Sequence, residues 1–395
     1  MENGENKKKD QKAQMTPEGW RIPVDHTRHH RENKWNYCGC GIYHITLVVT
    51  DHFPLFGRLE GARPNEAHVQ LNKYGQSVLA ILRDEPRYYG EKGYALKLLA
   101  TQIMPDHIHF VIEVLKPLPK PIGTVIRGFK SACTSAYKKE LESCRKYAAS
   151  MKKEGDGEDG CRKYATRMKS EGEENILHFA RIFARTESIW ESDPAYYHER
   201  ILHSHEQLQA MIDYVKDNPR RLAIKRANPE LFKIKWQTEI GGGRYTTLGN
   251  MFLTQNPMKQ VLQFSRTMTE EEIKAKEEEC LSEAANGTVY VSAAISPGEK
   301  QICRAIREAG FPLIVLLEEG FPKEDDPHYQ YYKPSGVYFE ACAKEQLLLA
   351  EPEEALLERA EIEAKVYAKA GEIPHNTKRY RFLALNALAE EIAGA

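Results

Sequence analysis

His107 and His109 stand either side of Ile108 in the apolar run Met104-Pro105-Asp106-His107-Ile108-His109-Phe110-Val111-Ile112-Glu113. Side chains alternate between the faces of a strand, so two histidines at this spacing project to one side, roughly 6.5 to 7 Å apart, while Ile108 points to the other. Two imidazoles so arranged can share one divalent ion. A bare His-x-His is more often a pair of half-exposed histidines with no metal, so the spacing alone does not establish chemistry.

A second set of reactive residue types lies in Ile189-Trp190-Glu191-Ser192-Asp193-Pro194-Ala195-Tyr196-Tyr197-His198-Glu199-Arg200-Ile201-Leu202. The tyrosine pair is either core aromatic packing or a nucleophile. A tyrosine hydroxyl near a divalent ion is competent to attack phosphorus, because the metal polarises the scissile phosphate and stabilises the developing charge. Charge supplies a third feature. The chain has a formal net charge of −1, yet between Lys116 and Lys169 it carries 14 Lys and Arg against 6 Asp and Glu. Any nucleic-acid surface must therefore be local. Within that region Ile122 to Glu142 reads as a helix, with Ile126, Phe129, Cys133 and Tyr137 on one side and Arg127, Lys130, Lys138 and Lys139 elsewhere. The charged side is either solvated or set against phosphates.

The elements that must position these groups follow from pattern. With 395 residues the chain has room for two or three domains. No run approaches the ~20 apolar residues of a membrane span, and Met1 to Gln14 lacks the apolar core of a signal peptide. Eight cysteines are too sparse for a disulfide framework. The expected location is the cytoplasm, at the nucleoid, with no membrane partner. Residues 1–36 read as a flexible basic, His-rich arm. Ile42 to Thr50 is β-branched and aromatic, as a buried strand is. Ala67 to Leu82 has helical apolar spacing, and Tyr94 to Met104 with His107 to Val114 form a hairpin turned at Pro105-Asp106. A stretch beginning at Cys144 recurs at Cys161, seventeen residues on, inside an insert at about 143–175. Ser204 opens a helix striped by Leu208, Met211, Ile212 and Val215 and closed by Asn218-Pro219.

The ordered motifs resemble the single-tyrosine HUH transposases of the IS200-like, REP-associated class. Met104-Pro105-Asp106-His107-Ile108-His109 is similar to that family's "M-P-N-H-I-H" strand, and Trp190 with Tyr197-His198-Glu199-Arg200-Ile201 to its "W-Q…Y-H-E-H-I-I" segment. Leu71-Asn72-Lys73-Tyr74-Gly75 and Tyr214-Val215-Lys216-Asp217-Asn218-Pro219 match family-like stretches in the same order. The resemblance covers about Tyr37 to Leu222 and implies an α+β fold, with a ferredoxin-like antiparallel sheet and helices at 37–235. It implies that His107 and His109 present Mg²⁺ or Mn²⁺, with Glu199 as candidate third ligand. It also implies that Tyr197 arrives on a helix to cleave single-stranded or hairpin DNA through a covalent 5′-phosphotyrosine. Tyr196 leaves the nucleophile ambiguous by one residue, and Asp106, where the family has Asn, should matter little on a turn. Arg127, Lys130, Lys138 and Lys139 would contact DNA, and a homodimer is open.

Gly241-Gly242-Gly243 reads as a hinge to a smaller α/β domain at 245–350, where strands alternate with helices as parallel βαβ units do. This part resembles the Rossmann-like DNA-processing protein A and SLOG fold, and Ser296-Pro297-Gly298 could present backbone N–H groups to an anion or simply cap a helix. Residues 351–395 read as a helical tail. Two other functions compete with a strand transferase: a domesticated regulator or housekeeping nuclease that keeps hairpin recognition without transposition, and, for the C-terminal part, a nucleotide-sensing module.

Overall fold

The computed structural model describes residues 14–16, 19–21, 35–153, 173–191, 197–321, 336–367 and 378–394. The chain divides into two compact units, residues 1–223 and 224–395.

In the first unit, short strands β1 (Gln14–Thr16) and β2 (Gly19–Arg21) pair with each other. They lie in the expected arm, most of which is outside the described residues. The main sheet is built from β3 (Gly41–Val48), β6 (Leu96–Ile103), β7 (His107–Val114) and β8 (Tyr197–Leu202), in the order β6-β7-β3-β8 with every pair antiparallel. The ribbon of β4 (Gly57–Glu60) and β5 (His68–Leu71) precedes α1 (Lys73–Gly90). The sequence spacing extends that helix back to Ala67, but the chain is extended to Leu71. Asn72 then stops the strand and starts the helix: its Oδ1 accepts from Gly75 N–H at 2.8 Å and its Nδ2 donates to Leu55 O at 2.9 Å. A Cβ on Gly75 would lie 2.1 Å from Phe56 O, so only glycine fits. The Leu71–Gly75 motif is thus a helix cap, with the Tyr74 hydroxyl donating to Cys133 O at 3.0 Å.

Helices α2 (Gly123–Lys153) and α3 (Glu173–Thr186) complete one layer. The repeat between Cys144 and Gly172 lies largely outside the described residues. α1, α2 and α3 cover one face of the sheet, burying Tyr43, Ile45, Leu47, Ile108, Phe110 and Ile112 against Val78, Leu82, Phe129, Cys133, Tyr137 and Phe179. α4 (His205–Ala227) covers the other, where Leu208, Met211, Ile212, Tyr214 and Val215 meet Ile42, Leu99, Ala100, Val111 and Leu202. Pro219 does not close α4: the helix runs through it for two further turns. The two faces follow from the strict alternation of β3 and β7.

The second unit holds the short α5 (Pro229–Phe232) and a six-stranded sheet ordered β11-β12-β13-β14-β10-β9, from β9 (Lys235–Ile240), β10 (Gly243–Gly249), β11 (Lys259–Val261), β12 (Val289–Ser292), β13 (Leu313–Leu316) and β14 (Leu347–Pro352). The four strands β11 to β14 are parallel, as the alternating pattern predicts. β10 adds antiparallel to β14, and β9 to β10. This overturns the hinge at Gly241-Gly242-Gly243. Gly241 and Gly242, at φ +56° and +82°, form the two-residue turn of the β9–β10 hairpin, a conformation that favours glycine. The boundary instead falls near residue 223, inside α4, because both hairpin strands belong to the second sheet.

Helices α6 (Glu270–Ala285), α7 (Pro297–Glu308) and α8 (Gly336–Ala343) cover one face of this sheet, while α9 (Glu354–Tyr367) and α10 (Lys378–Gly394) cover the other. The C-terminal tail is thereby intramolecular packing, with Leu385, Leu388 and Ile392 buried. The Ser296 turn is a capping box whose N–H groups are taken by the chain itself. The buried Glu299 carboxylate accepts from Phe264 N–H at 3.0 Å, Ile295 N–H at 2.6 Å and Ser296 N–H at 3.1 Å. No helix among the described residues is long and apolar enough to cross a membrane.

Candidate metal and nucleophile site

Residues opposite one another in antiparallel strands share a face. On β3 and β7, Val48 pairs with His107, Thr46 with His109 and His44 with Val111. His107, His109, Thr46 and His44 therefore lie on the face that α4 covers, away from α1 and α2. The rings of His107 and His109 are 4.8 Å apart, edge to face. The strand reading of the pair holds, and the companions could not be read from spacing.

Each histidine is gripped at Nδ1. His109 Nδ1 lies 2.9 Å from Thr46 Oγ1 and 3.2 Å from His44 Nε2, with the His44 ring stacked at 5.3 Å. His107 Nδ1 lies 2.7 Å from Asp106 Oδ1, and His52 Nδ1 lies 3.5 Å from Asp106 Oδ2. Burial raises the Asp106 carboxyl, but hydrogen bonds from His107 and His52 outweigh it and hold the group well below the usual carboxylate range. Asp106 is thus more than a turn residue, contrary to the sequence expectation. Where both Nδ1 atoms donate, both Nε2 atoms keep a lone pair for a metal.

That donor set fits a divalent ion in part. His107 and His109 would hold it, and of the two expected ions Mn²⁺ suits imidazole nitrogen better than Mg²⁺, whose preferred ligands are oxygen. Glu199 does not fit as third ligand: it pairs with Ile45, on the face buried under α1 and α2. Among the described residues no three His, Cys, Asp or Glu side chains converge on one metal position.

Tyr197 opens β8 opposite Leu47 and so sits in a strand, where the resemblance implied a helix. Its register position alternates with those on the histidine face; His198 and Arg200, opposite Thr46 and His44, hold the matching positions. Tyr196 and the side chain of Tyr197 lie outside the described residues. A tyrosine does come to the histidines on a helix, but it is Tyr214 of α4. Its ring centroid is 5.6 Å from that of His109 and 6.2 Å from that of His44. Burial pushes the Tyr214 phenol up, while the Arg221 guanidinium, 5.3 Å from the ring, and the Asn218 side chain pull it back down. Asn218 Nδ2 also donates to Tyr214 O at 2.8 Å. The signal was present in the Tyr214-to-Pro219 motif, one helical turn after the stripe residue Met211.

The basic helix is not part of this assembly. Val125, Ile126, Phe129 and Tyr137 turn α2 onto the opposite face, leaving Arg127, Lys138 and Lys139 exposed there. Burial lowers the Lys130 ammonium, and Lys138 Nζ sits 5.8 Å from the Phe183 ring centre. Trp190 is likewise structural: it is buried beside Phe56 and Phe129, and its indole N–H donates to Lys130 O at 3.3 Å.

No family model matches the chain, and no curated protein matches it. The solved structures to which it is similar include two that each cover 48% of its length. One is a candidate transposase from Deinococcus radiodurans R1, at 13% identity, 96% of that chain and a TM-score of 0.23. The other is the REP-associated tyrosine transposase bound to a REP hairpin, at 13% identity, 72% of that chain and a TM-score of 0.21.

Proposed function

We propose that the first unit is a metal-dependent single-stranded DNA endonuclease and strand transferase acting on hairpin-bearing DNA, with Tyr214 as nucleophile. The observation that carries this is the Tyr214 ring standing against His109 on the face that also bears His107. In the forward step the Tyr214 phenol gives up its proton and its oxygen bonds to phosphorus. The bond from phosphorus to O3′ breaks, giving a 5′-phosphotyrosine and a free 3′-hydroxyl. Reversal by a 3′-hydroxyl rejoins strands without ATP, since one phosphodiester is exchanged for another. A divalent ion held by His107 and His109 would supply charge neutralisation at the scissile phosphate. Thr46 and Asp106 keep the two rings oriented, Asn218 braces Tyr214, and Arg221 favours the phenolate.

Tyr197 is the competing nucleophile, because β8 begins beside Leu47, one residue from the Val48–His107 pair. Incubation with a single-stranded hairpin oligonucleotide and Mn²⁺, followed by mapping of the DNA-linked peptide, tests both. An adduct on Tyr214 supports the proposal, one on Tyr197 moves the nucleophile, and DNA binding with no adduct favours the regulator.

A further inference from the structure

We infer that Asp106 is a positioning residue for His107: its carboxylate, itself held by His52, fixes the His107 ring with the proton on Nδ1 and so turns the Nε2 lone pair toward the metal position. The metal half of this inference rests on the function proposed above; the hold of Asp106 on the ring does not.

An ionised carboxylate only accepts hydrogen bonds, so at 2.7 Å from Asp106 Oδ1 the His107 Nδ1 must donate. The contact also places a full negative charge behind the ring and fixes the direction in which Nε2 points. At His109 the same atom meets Thr46 Oγ1 and His44 Nε2 instead of a carboxylate. The two rings are thus held by different groups, His107 by a carboxylate and His109 by a hydroxyl and a second imidazole.

A strained turn holds the second carboxylate oxygen. Asp51 and His52 follow one another at φ +58° and +50°, in the left-handed region that non-glycine residues rarely enter. Two consecutive residues persist there because their surroundings fix them: Asp51 N–H donates to Glu191 Oε2 at 3.2 Å, Arg185 Nη2 to Asp51 Oδ2 at 3.3 Å, and His52 N–H to Val49 O at 2.9 Å. The turn delivers His52 Nδ1 to within 3.5 Å of Asp106 Oδ2. Backbone bonding pins Asp106 as well, with its carbonyl accepting from Val49 N–H at 2.8 Å. Asp106 is therefore fixed from both sides before any ion binds.

The test uses the full chain without metal or DNA. Ring ¹⁵N–¹H correlation spectra at pH 8, with His107 assigned by difference from His107→Gln, should show the proton on Nδ1 in the wild type. In Asp106→Ala it should move largely to Nε2, and in the near-isosteric Asp106→Asn, which guards against misfolding, to a mixture. Calorimetric titration with Mn²⁺ should then give about 10- to 100-fold weaker binding for Asp106→Ala, with smaller losses for Asp106→Asn and His52→Ala. A wild-type proton on Nε2, or a tautomer unchanged in Asp106→Ala, overturns the inference. A wild type that shows the expected tautomer but no Mn²⁺ affinity upholds the hold of Asp106 on the ring and sinks the metal site instead.

Discussion

The Tyr214 ring meets the His109 ring at 5.6 Å and an interplanar angle of 73°, across the junction between α4 and the four-stranded sheet. Two elements over a hundred residues apart in sequence therefore bring a phenol and an imidazole to one place. Tyr214→Phe removes only the hydroxyl, so the packing against His109 and His44 should survive. The expected result is loss of the covalent protein–DNA adduct with hairpin affinity intact, whereas Tyr197→Phe should keep the adduct. Denaturing gels of labelled oligonucleotide read both.

Removing the imidazoles should separate binding from cleavage. His107→Ala and His109→Ala should each abolish Mn²⁺-dependent nicking, and EDTA should do the same to the wild type. Nicking that persists in EDTA would refute a metal-assisted mechanism.

Arg221 should act through the phenol. Its charge opposes the effect of burial on Tyr214, so Arg221→Gln should move the alkaline limb of the nicking-rate profile to higher pH and slow the reaction at pH 7. Metal binding without DNA should not change.

What could be read from the sequence, and what could not, divides along the range of the interactions. The β3 and β7 strands, the turn at Pro105-Asp106 and the parallel alternation of the second unit are set by local apolar periodicity, and all of them formed. The His107–His109 face also followed from period two. Which tyrosine ring meets the histidines did not, because it depends on which side of the sheet each helix covers. Nor could the positions of the α2 cations be read: a helix with one apolar side can pack on either face, and α2 took the face away from the histidines. Thr46 and His44 carried a faint signal, as the polar members of an otherwise apolar strand. The triglycine misled because two positive-φ residues serve a hairpin turn as well as a linker.

Stability of the first unit should fall as pH rises through neutrality. Glu85 is 5% exposed between α1 and α2, and burial pushes its carboxyl up to about 7, with Asp84 adding to the rise and Lys92 opposing it. The folded state then holds a proton that the unfolded chain, with an ordinary carboxyl near about 4.3, has released. The stability tied to that proton is fully present below the unfolded value and is lost as pH climbs through about 7. Glu85→Gln should flatten this slope and raise the urea midpoint at pH 8, with a gain on the order of 2 kcal/mol. A variant less stable than wild type at pH 8 would mean that the ionised carboxylate has a favourable role in the fold.

The Glu299 carboxylate should be worth more to the second unit than any anion its loop could bind. It sits 2% exposed with three backbone N–H donors on its two oxygens, where the positive end of α7 would otherwise favour an anion. An internal carboxylate that needs no binding entropy holds that place. Glu299→Gln keeps the volume but turns an amide N–H₂ toward at least one of those donors, leaving it buried and unsatisfied at a cost of about 2 to 3 kcal/mol. Urea unfolding should show that loss in the transition of the second unit, with the first unit's adduct chemistry unchanged. Inorganic phosphate at low millimolar concentration should leave the wild-type transition where it is, because the amides that would bind it are already taken. A phosphate-dependent rise in the wild-type midpoint would instead mean that the loop opens to ligands and that the nucleotide-sensing alternative has a site.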